Sequence, residues 1–211
     1  MKKTSKTWVI FDFDGTITHS ESIAYEVFSI LQKKYKINTL TEEELIDLKT
    51  VSFKKKMKTL GLPFWKIPKV VKDMRKLTKT FLVRLEPLPY IKRLCLDLKA
   101  KGFHLAIVSS NQKTSIESFL NAHDFKMFDV ILGNAKIFKK QKTIKQLFKI
   151  QQVNITDAVY IGDETRDIIA CHKIGLDVIA VTWGYESKEQ LEKYHPTYMV
   201  DHVAEIQSIL L

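Results

Sequence analysis

The segment Trp8-Val-Ile-Phe-Asp-Phe-Asp-Gly-Thr-Ile-Thr18 places two carboxylates, Asp12 and Asp14, directly after an apolar run. Residues 8–11 favour a β-strand, and Gly15 allows the chain to turn sharply after it. Because side chains alternate along an extended chain, Asp12 and Asp14 should lie on the same side. Two unit charges about 4 Å apart repel by about 4 kcal/mol at an effective dielectric near ~20. The pair therefore favours a shared proton or a divalent metal, and an Asx-rich turn is the alternative that the segment alone leaves open.

The chain after residue 87 alternates between short apolar runs and amphipathic stretches. The apolar runs 105–108, 159–161 and 178–181 contain no alternating polar residues, as expected for strands that are covered on both faces. This pattern predicts an α/β fold with a doubly wound, Rossmann-like parallel sheet. The predicted strands are 8–11, 104–109, 129–132, 157–161 and 176–182, and the predicted helices are 90–101, 114–122, 141–150 and 165–172.

Between the first strand and Pro87 the periodicity is helical throughout. A stripe of Ile23, Val27, Ile30 and Leu31 predicts a first helix, a short polar helix follows at 42–48, and a longer one is predicted from Pro68 to before Pro87. The sequence therefore predicts a core of residues 1–17 and 87–211 with a small all-helical cap inserted at residues 18–86.

Polar residues follow three of the predicted strands. Parallel strands of a doubly wound sheet end at one common edge, where ligands bind, so these residues should converge. The residues in question are Asp12 and Asp14 after the first strand, Ser109, Ser110 and Asn111 after the second, and Asp163, Glu164 and Asp167 after a later one. Phe138-Lys-Lys-Gln-Lys142, at the start of a helix, could add a cation and helix N-terminal amides for an anion.

These four segments resemble the motifs of the haloacid dehalogenase superfamily, in its phosphatase branch with a C1-type helical cap. Asp12-Phe-Asp-Gly-Thr16 is the most specific of them, followed by Gly162-Asp-Glu-Thr-Arg-Asp167. The segments 180–185 and 196–201 also resemble phosphoglycolate phosphatase-like members. The resemblance implies a magnesium-dependent phosphomonoesterase that hydrolyses a small phosphorylated metabolite, with phosphoglycolate as the first candidate.

By this resemblance Asp12 is the nucleophile that forms an aspartyl-phosphate, and Asp14 is the general acid and base. Asp12, Asp163 and the backbone carbonyl of Asp14 would bind Mg2+ through hard oxygen ligands. The Ser109 hydroxyl and the Ser110 amide would bind the transferring phosphoryl group.

The resemblance also implies a lysine that contacts both the phosphoryl group and the nucleophile. Lys140 fits the pattern Phe138-x-Lys140, whereas Lys139 and Lys142 remain contenders because the proline that often follows this lysine is absent. Asp167 would support the site by holding a metal-bound water or orienting the lysine, and its alternative role is to complement a helix dipole.

Three other functions stay open at this point. A phosphomutase uses the same covalent intermediate, and a nucleotide or nucleic-acid-end phosphatase would suit the formal charge of +10. A noncatalytic binding protein is disfavoured because the acids at 12, 14 and 163 are intact.

The composition limits the partners. Lys54, Lys55, Lys56 and Lys58 share one helix face without interleaved aromatics, which predicts a solvated surface and disfavours a nucleic-acid partner. The N-terminal apolar run is too short for a signal peptide or a membrane span, so a cytoplasmic protein is expected. Its oligomeric state, monomer or homodimer, is left open by the sequence. Cys95 and Cys171 should be buried reduced thiols, His19 a structural residue, and Trp65 and Trp183 packing residues.

Overall fold

A computed structural model of the 211-residue chain describes residues 6–18, 21–41, 44, 53–81, 85–136 and 139–211. The chain divides into two compact units, which are residues 1–19 together with 86–211, and residues 20–85. The sequence places the corresponding boundaries after residue 17 and before residue 87. The role of the second unit as a cap stays a prediction.

The first unit is built on one parallel sheet of six strands, in the order β3-β2-β1-β4-β5-β6. This arrangement confirms the predicted α/β fold class. The strands are β1 (Trp8–Phe11), β2 (His104–Val108), β3 (Val130–Leu132), β4 (Ala158–Gly162), β5 (Asp177–Val181) and β6 (Tyr198–Val200).

The described helices fall in both units. The second unit holds α1 (Glu21–Tyr35), α2 (Phe53–Thr59) and α3 (Ile67–Phe81), with a 3-10 turn at Phe64–Lys66. The first unit holds α4 (Ile91–Ala100), α5 (Lys113–Ala122), α6 (Lys140–Gln151), α7 (Thr165–His172), α8 (Lys188–Glu192) and α9 (Val203–Leu210), with a 3-10 turn at Ile155–Asp157.

Strand β1 is central and is buried on both faces. Trp8 and Ile10 pack in a cluster with Ile144 of α6 and Ile168 of α7. The alternate residues of β1, such as Phe11, point to the other face of the sheet and are equally buried there. This two-sided burial explains why the strand sequences show no polar alternation.

The predicted strands and helices of the first unit agree with the structure to within one residue at each end. The sequence analysis did not predict β6, α8 or α9. β6 has three residues and α8 has five, so each offers little periodic signal, whereas α9 has eight residues with apolar positions 203, 206, 209 and 210 at helical spacing.

The second unit corrects several predictions. Ile30 and Met74 were expected on buried stripes but are exposed, and Trp65 was expected to pack but is 79% exposed. Helix α3 begins at Ile67, so Pro68 lies in its first turn, where a missing N–H costs no hydrogen bond. The helix predicted at 42–48 lies outside the described residues except for residue 44, as does His19.

Cys95 and Cys171 are both buried free thiols, as expected. Within the described ranges, no helix is long and apolar enough to cross a membrane.

Candidate active site

The carboxyl ends of β1, β2 and β4 meet at one edge of the sheet. Phe11, the last residue of β1, pairs with Ile107 of β2 and with Ile161 of β4. The register therefore brings the residues that follow these strands together, and the Asp12 amide donates to the Ile161 carbonyl at 2.8 Å. Asp12, Ser109 and Asp163 leave the sheet at neighbouring positions, as the motif spacing predicts.

Asp12 is only 4% exposed, and both of its carboxylate oxygens have a partner. The backbone amide of Phe13 donates to Oδ1 at 2.8 Å, and Lys140 Nζ donates to Oδ2 at 2.7 Å. A hydrogen bond to each oxygen fixes the orientation of the carboxylate.

Lys140 is the first residue of α6 and is 1% exposed. Its Nζ donates to Asp12 and, at 2.5 Å, to Asp167 Oδ1. Burial alone would lower the pKa of Lys140, but the charges of Asp12 and Asp167 raise it above its ordinary value. Lys139 and Lys142 are exposed, so of the three lysines left open by the sequence, the structure brings Lys140 to Asp12.

The ring of Tyr160, in β4, contacts the Lys140 ammonium. The Lys140 Nζ lies 5.5 Å from the centre of the Tyr160 ring, within the range of a cation–π contact. The Tyr160 hydroxyl donates to the Val108 carbonyl at 3.1 Å, which ties the side chain to β2, two strands away from β4 in the sheet. The position of the ammonium therefore depends on the sheet as well as on the two carboxylates.

Asp163 is fully buried and accepts two hydrogen bonds, from the Thr16 hydroxyl at 2.9 Å and from the Tyr185 amide at 2.8 Å. Gly15 and Gly184 both approach its side chain so closely that a Cβ at either position would overlap it. Gly15 also has φ of +71°, which L side chains rarely adopt. Burial, then the charges of Glu164 and Asp12, raise the pKa of Asp163 well above its usual range.

Asp12, Asp163 and Asp167 form a cluster of carboxylates that fits a metal ion. Each offers one oxygen, and these oxygens lie within 4.8 Å of one another. The Oδ2 of Asp167 is buried and has no hydrogen-bond partner among the described residues. Burial, opposed by Lys140 and reinforced by Asp12, raises the pKa of Asp167 to about 7. An all-oxygen set of close, buried acids suits a hard divalent cation such as Mg2+.

Asp14 stands apart from this carboxylate cluster. Its side chain accepts a hydrogen bond from the Asn111 amide group at 2.8 Å. Burial, and then the negative charge of Asp12, raise the pKa of Asp14 to about 7. The two carboxylates of the first motif thus have different environments: Asp12 pairs with a cation, and Asp14 is able to hold a proton near neutral pH.

Ser109 lies at the end of β2 and is fully buried. Its Oγ accepts a hydrogen bond from the backbone N–H of Asn111 at 3.1 Å. This hydrogen bond fixes the position of the oxygen that carries the hydroxyl proton. Ser110 is partly exposed at the same edge. Both predicted serines therefore follow β2 at the sheet edge where Asp12 and Asp163 follow β1 and β4.

The motifs assign no role to three residues that the structure brings to the site. Thr16 lies inside the first motif, but its hydroxyl donates to Asp163, 147 residues away, so only the fold identifies this partner. Asn111 directly follows the two serines, and its side-chain amide donates a hydrogen bond to Asp14, which lies 97 residues earlier in the chain. Tyr160 has no sequence signal, because an aromatic residue in a buried strand resembles an ordinary core residue.

Residues 9–181 match the profile of the haloacid dehalogenase-like hydrolase family. The chain belongs to this family. The predicted family and the predicted enzyme class, a phosphatase of the haloacid dehalogenase type, are confirmed.

Relatives of this haloacid dehalogenase-like hydrolase carry phosphatase names. The chain is 26% identical over 194 residues to a phosphoglycolate phosphatase from Synechococcus elongatus, covering 92% of each protein. It is 21% identical over 207 residues to the pyrophosphatase PpaX from Bacillus cereus, covering 96% of this chain and 95% of PpaX.

Solved structures of the family share the fold. A haloacid dehalogenase-like hydrolase from Streptococcus pneumoniae superposes with a TM-score of 0.84 at 22% identity, over 99% of this chain and 100% of the other. CbbY from Rhodobacter sphaeroides, solved in complex with phosphate, gives a TM-score of 0.74 at 18% identity over 98% and 100% of the two chains.

We expect Mg2+ to raise the melting temperature of this haloacid dehalogenase-like hydrolase, because a bound cation offsets the repulsion among its buried acids. Mg2+ at about ten times its Kd stabilises by about 1.4 kcal/mol, which corresponds to about 3–6 °C in a chain of this size. Thermal melts at pH 7 with and without Mg2+ measure the shift. Asp163→Asn should lose most of it, and Asp201→Asn, at a surface ion pair with Lys188, should keep it. A full shift in Asp163→Asn would exclude Asp163 as a ligand.

We expect Lys140→Met to lower the free energy of unfolding by about 3 kcal/mol in metal-free buffer at pH 8, because it leaves two buried carboxylates without their counterion. Lys142→Met, an exposed position on the same helix, should change it by less than about 0.5 kcal/mol. Urea unfolding of both variants measures the difference. Equal destabilisation of the two would mean that the Lys140 ion pairs contribute nothing beyond the local effect of the helix.

Proposed function

We propose that this haloacid dehalogenase-like phosphatase hydrolyses the monoester of a small phosphorylated metabolite through an aspartyl-phosphate on Asp12. The observation that carries the proposal is the contrast between two neighbouring carboxyl groups. The Phe13 amide and Lys140 Nζ hold the Asp12 carboxylate in a fixed orientation, while burial raises the pKa of Asp14 to about 7. A carboxylate oriented beside a cation suits a nucleophile, and a neighbouring carboxyl group that can carry a proton near neutral pH suits an acid.

In the first step an oxygen of Asp12 attacks phosphorus, and the bond from phosphorus to the leaving oxygen breaks. The carboxyl proton of Asp14 goes to that leaving oxygen, so that oxygen departs as a neutral hydroxyl group and not as an alkoxide. The Asn111 amide orients the Asp14 carboxyl for this transfer. The products of the step are the alcohol and a mixed anhydride between Asp12 and phosphate.

In the second step water attacks the phosphorus of the aspartyl-phosphate. The Asp14 carboxylate, which gave up its proton in the first step, takes one from the attacking water. The bond between phosphorus and the Asp12 oxygen breaks, and inorganic phosphate is released. Both aspartates then return to their starting protonation states.

Positive charge and hydrogen-bond donors stabilise the phosphoryl group during both steps. Ser109 donates its hydroxyl proton and Ser110 its amide to the phosphoryl oxygens, and Lys140 supplies a fixed cation. Asp167 keeps Lys140 in place through the 2.5 Å contact. The hydrogen bonds that fix the Ser109 oxygen and the Lys140 ammonium support these roles.

Asp12, Asp163 and the backbone carbonyl of Asp14 would hold Mg2+, with Asp167 contributing directly or through a water molecule. When bound, Mg2+ supplies the charge that allows an anionic carboxylate to approach an anionic phosphate.

The names of the relatives suggest the first substrates to test. Phosphoglycolate is the leading candidate, because the phosphoglycolate phosphatase from Synechococcus elongatus matches over 92% of the chain. Pyrophosphate is the second, because PpaX matches over 96% of it. A panel should also contain an aryl phosphate, nucleoside monophosphates and sugar phosphates, with product analysis that detects a phosphomutase.

We expect Asp12→Asn to lower kcat by at least about 1000-fold on every substrate that the wild type hydrolyses, because an amide cannot form the covalent intermediate. Phosphate release measured with Mg2+ gives the rates, and circular dichroism checks that the variant is folded. Asp201→Asn serves as the control and should retain activity. Full activity in folded Asp12→Asn would show that the nucleophile is misassigned.

We expect Ser109→Ala to lower kcat by about 100-fold, because it removes one donor to the transferring phosphoryl group. Ser115 is also buried but lies on α5, so Ser115→Ala controls for loss of a buried hydroxyl. Steady-state kinetics of both variants on the best substrate of the panel separates the two effects. A decrease of the same size in both would assign the loss to packing.

A further inference from the structure

The second unit carries an open pocket with a volume of about 630 Å3, and none of its lining residues takes part in the proposed hydrolysis. We call it the lysine-aromatic pocket, and its main lining residues are Lys55, Lys58, Leu62, Pro63, Phe64 and Trp65. They come from α2, from the 3-10 turn that follows it, and from the loop between the two. A concavity of this size falls within the range that binds ligands.

The two aromatic side chains of the pocket are unusually exposed. Phe64 is 64% exposed and Trp65 is 79% exposed, whereas the nearby apolar residues Leu60 and Leu62 are buried. Burying a large apolar side chain stabilises a protein by about 1.5–3 kcal/mol, so leaving two of them in water forgoes that stabilisation. The two leucines therefore contribute to the packing of the unit, whereas the two aromatic rings remain exposed at its surface.

The surroundings of the pocket are strongly positive. Residues 53–72 contain seven lysines and no acidic residue. Lys55, Lys58, Lys66 and Lys69 are all exposed. The next acidic residue along the chain, Asp73, already accepts hydrogen bonds from Lys34 and Tyr35 within the same unit. The positive charge around the pocket is therefore not neutralised by the segment that forms it.

We propose that the lysine-aromatic pocket binds single-stranded nucleic acid, with a base stacked on Trp65 and backbone phosphates against Lys55 and Lys58. Exposed aromatic rings beside a positive groove are the two elements that bind single strands without sequence preference. The spacing along the sequence does not interleave aromatics with lysines, but the fold brings residues 64 and 65 beside residues 55 and 58.

The shape and the charge favour a strand over other anionic partners. The rings line a concavity, which accepts a planar base, whereas a bilayer is bound by a continuous apolar face that inserts into it. Seven lysines in twenty residues also exceed what one nucleotide would need. This proposal is independent of the proposed hydrolysis, because every residue that carries it belongs to the second unit.

The test is a fluorescence-anisotropy titration of a labelled 20-nucleotide oligothymidylate with the full-length protein in Mg2+-free buffer. The oligonucleotide carries no terminal phosphate, so that the phosphatase site has no substrate to bind. We expect binding in 50 mM salt that weakens in 200 mM salt. The slope of log K against log salt should decrease in magnitude by about 0.7 for each of Lys55→Gln and Lys58→Gln.

The aromatic contact is tested by a matched pair of variants. Trp65→Ala should weaken binding at least about 5-fold, and Trp65→Phe, which keeps a ring, should stay within about 3-fold of wild type. Lys149→Gln, at an exposed position on α6, controls for net charge and should leave the salt slope unchanged. Circular dichroism checks the fold of each variant.

Several results would overturn the proposal. They are absence of binding in 50 mM salt, equal affinity in Trp65→Ala and wild type, or an equal effect of Lys149→Gln on the salt slope. Binding of the dinucleotide TpT as tight as that of the 20-mer would reject an extended strand. Binding of phosphatidylserine vesicles without binding of the oligonucleotide would assign the surface to a membrane instead.

Discussion

The buried contacts of Lys140 with Asp12 and Asp167 are the interaction on which the site depends. Asp12, Asp163 and Asp167 lie close together in a region from which water is excluded, and like charges in such a place repel strongly. A cation at 2.7 Å and 2.5 Å from two of them offsets that repulsion. For this to happen, α6 must begin at residue 140 and pack beside the sheet, which its buried residue Ile144 achieves.

The buried acids of the site destabilise the first unit, whereas its apolar core stabilises it. The pKa of Asp14 and of Asp167 is raised to about 7, so their ionisation is disfavoured by the fold itself. Strands such as β1, which are buried on both faces, provide the apolar contacts that offset the cost of burying these acids. Tyr160 joins the two regions, because its ring lies in the core cluster while it also faces the Lys140 ammonium.

Much of the fold and of the candidate site could be predicted from local patterns. Unbroken apolar runs indicated the strands, and the rule that ligands bind at the carboxyl ends of parallel strands placed Asp12 and Asp163 together. Pattern reasoning failed where the signal is short or not local. Strand β6 has only three residues, Trp65 is exposed although its type suggested packing, and no spacing rule links Asn111 to Asp14. Such features depend on which surfaces remain uncovered once the chain has folded.

The sequence by itself determined the α/β class, the order of the core strands along the chain, and the acids and hydroxyls that follow them, because these depend on periodicities of a few residues. Only the tertiary structure decided which of three neighbouring lysines meets Asp12, and that Asp14 and Asp12 lie in different electrostatic environments. It also decided that Trp65 shares a pocket with Lys55. Burial and charge proximity are properties of residues distant in sequence, so they exist only after the sheet and helices have packed.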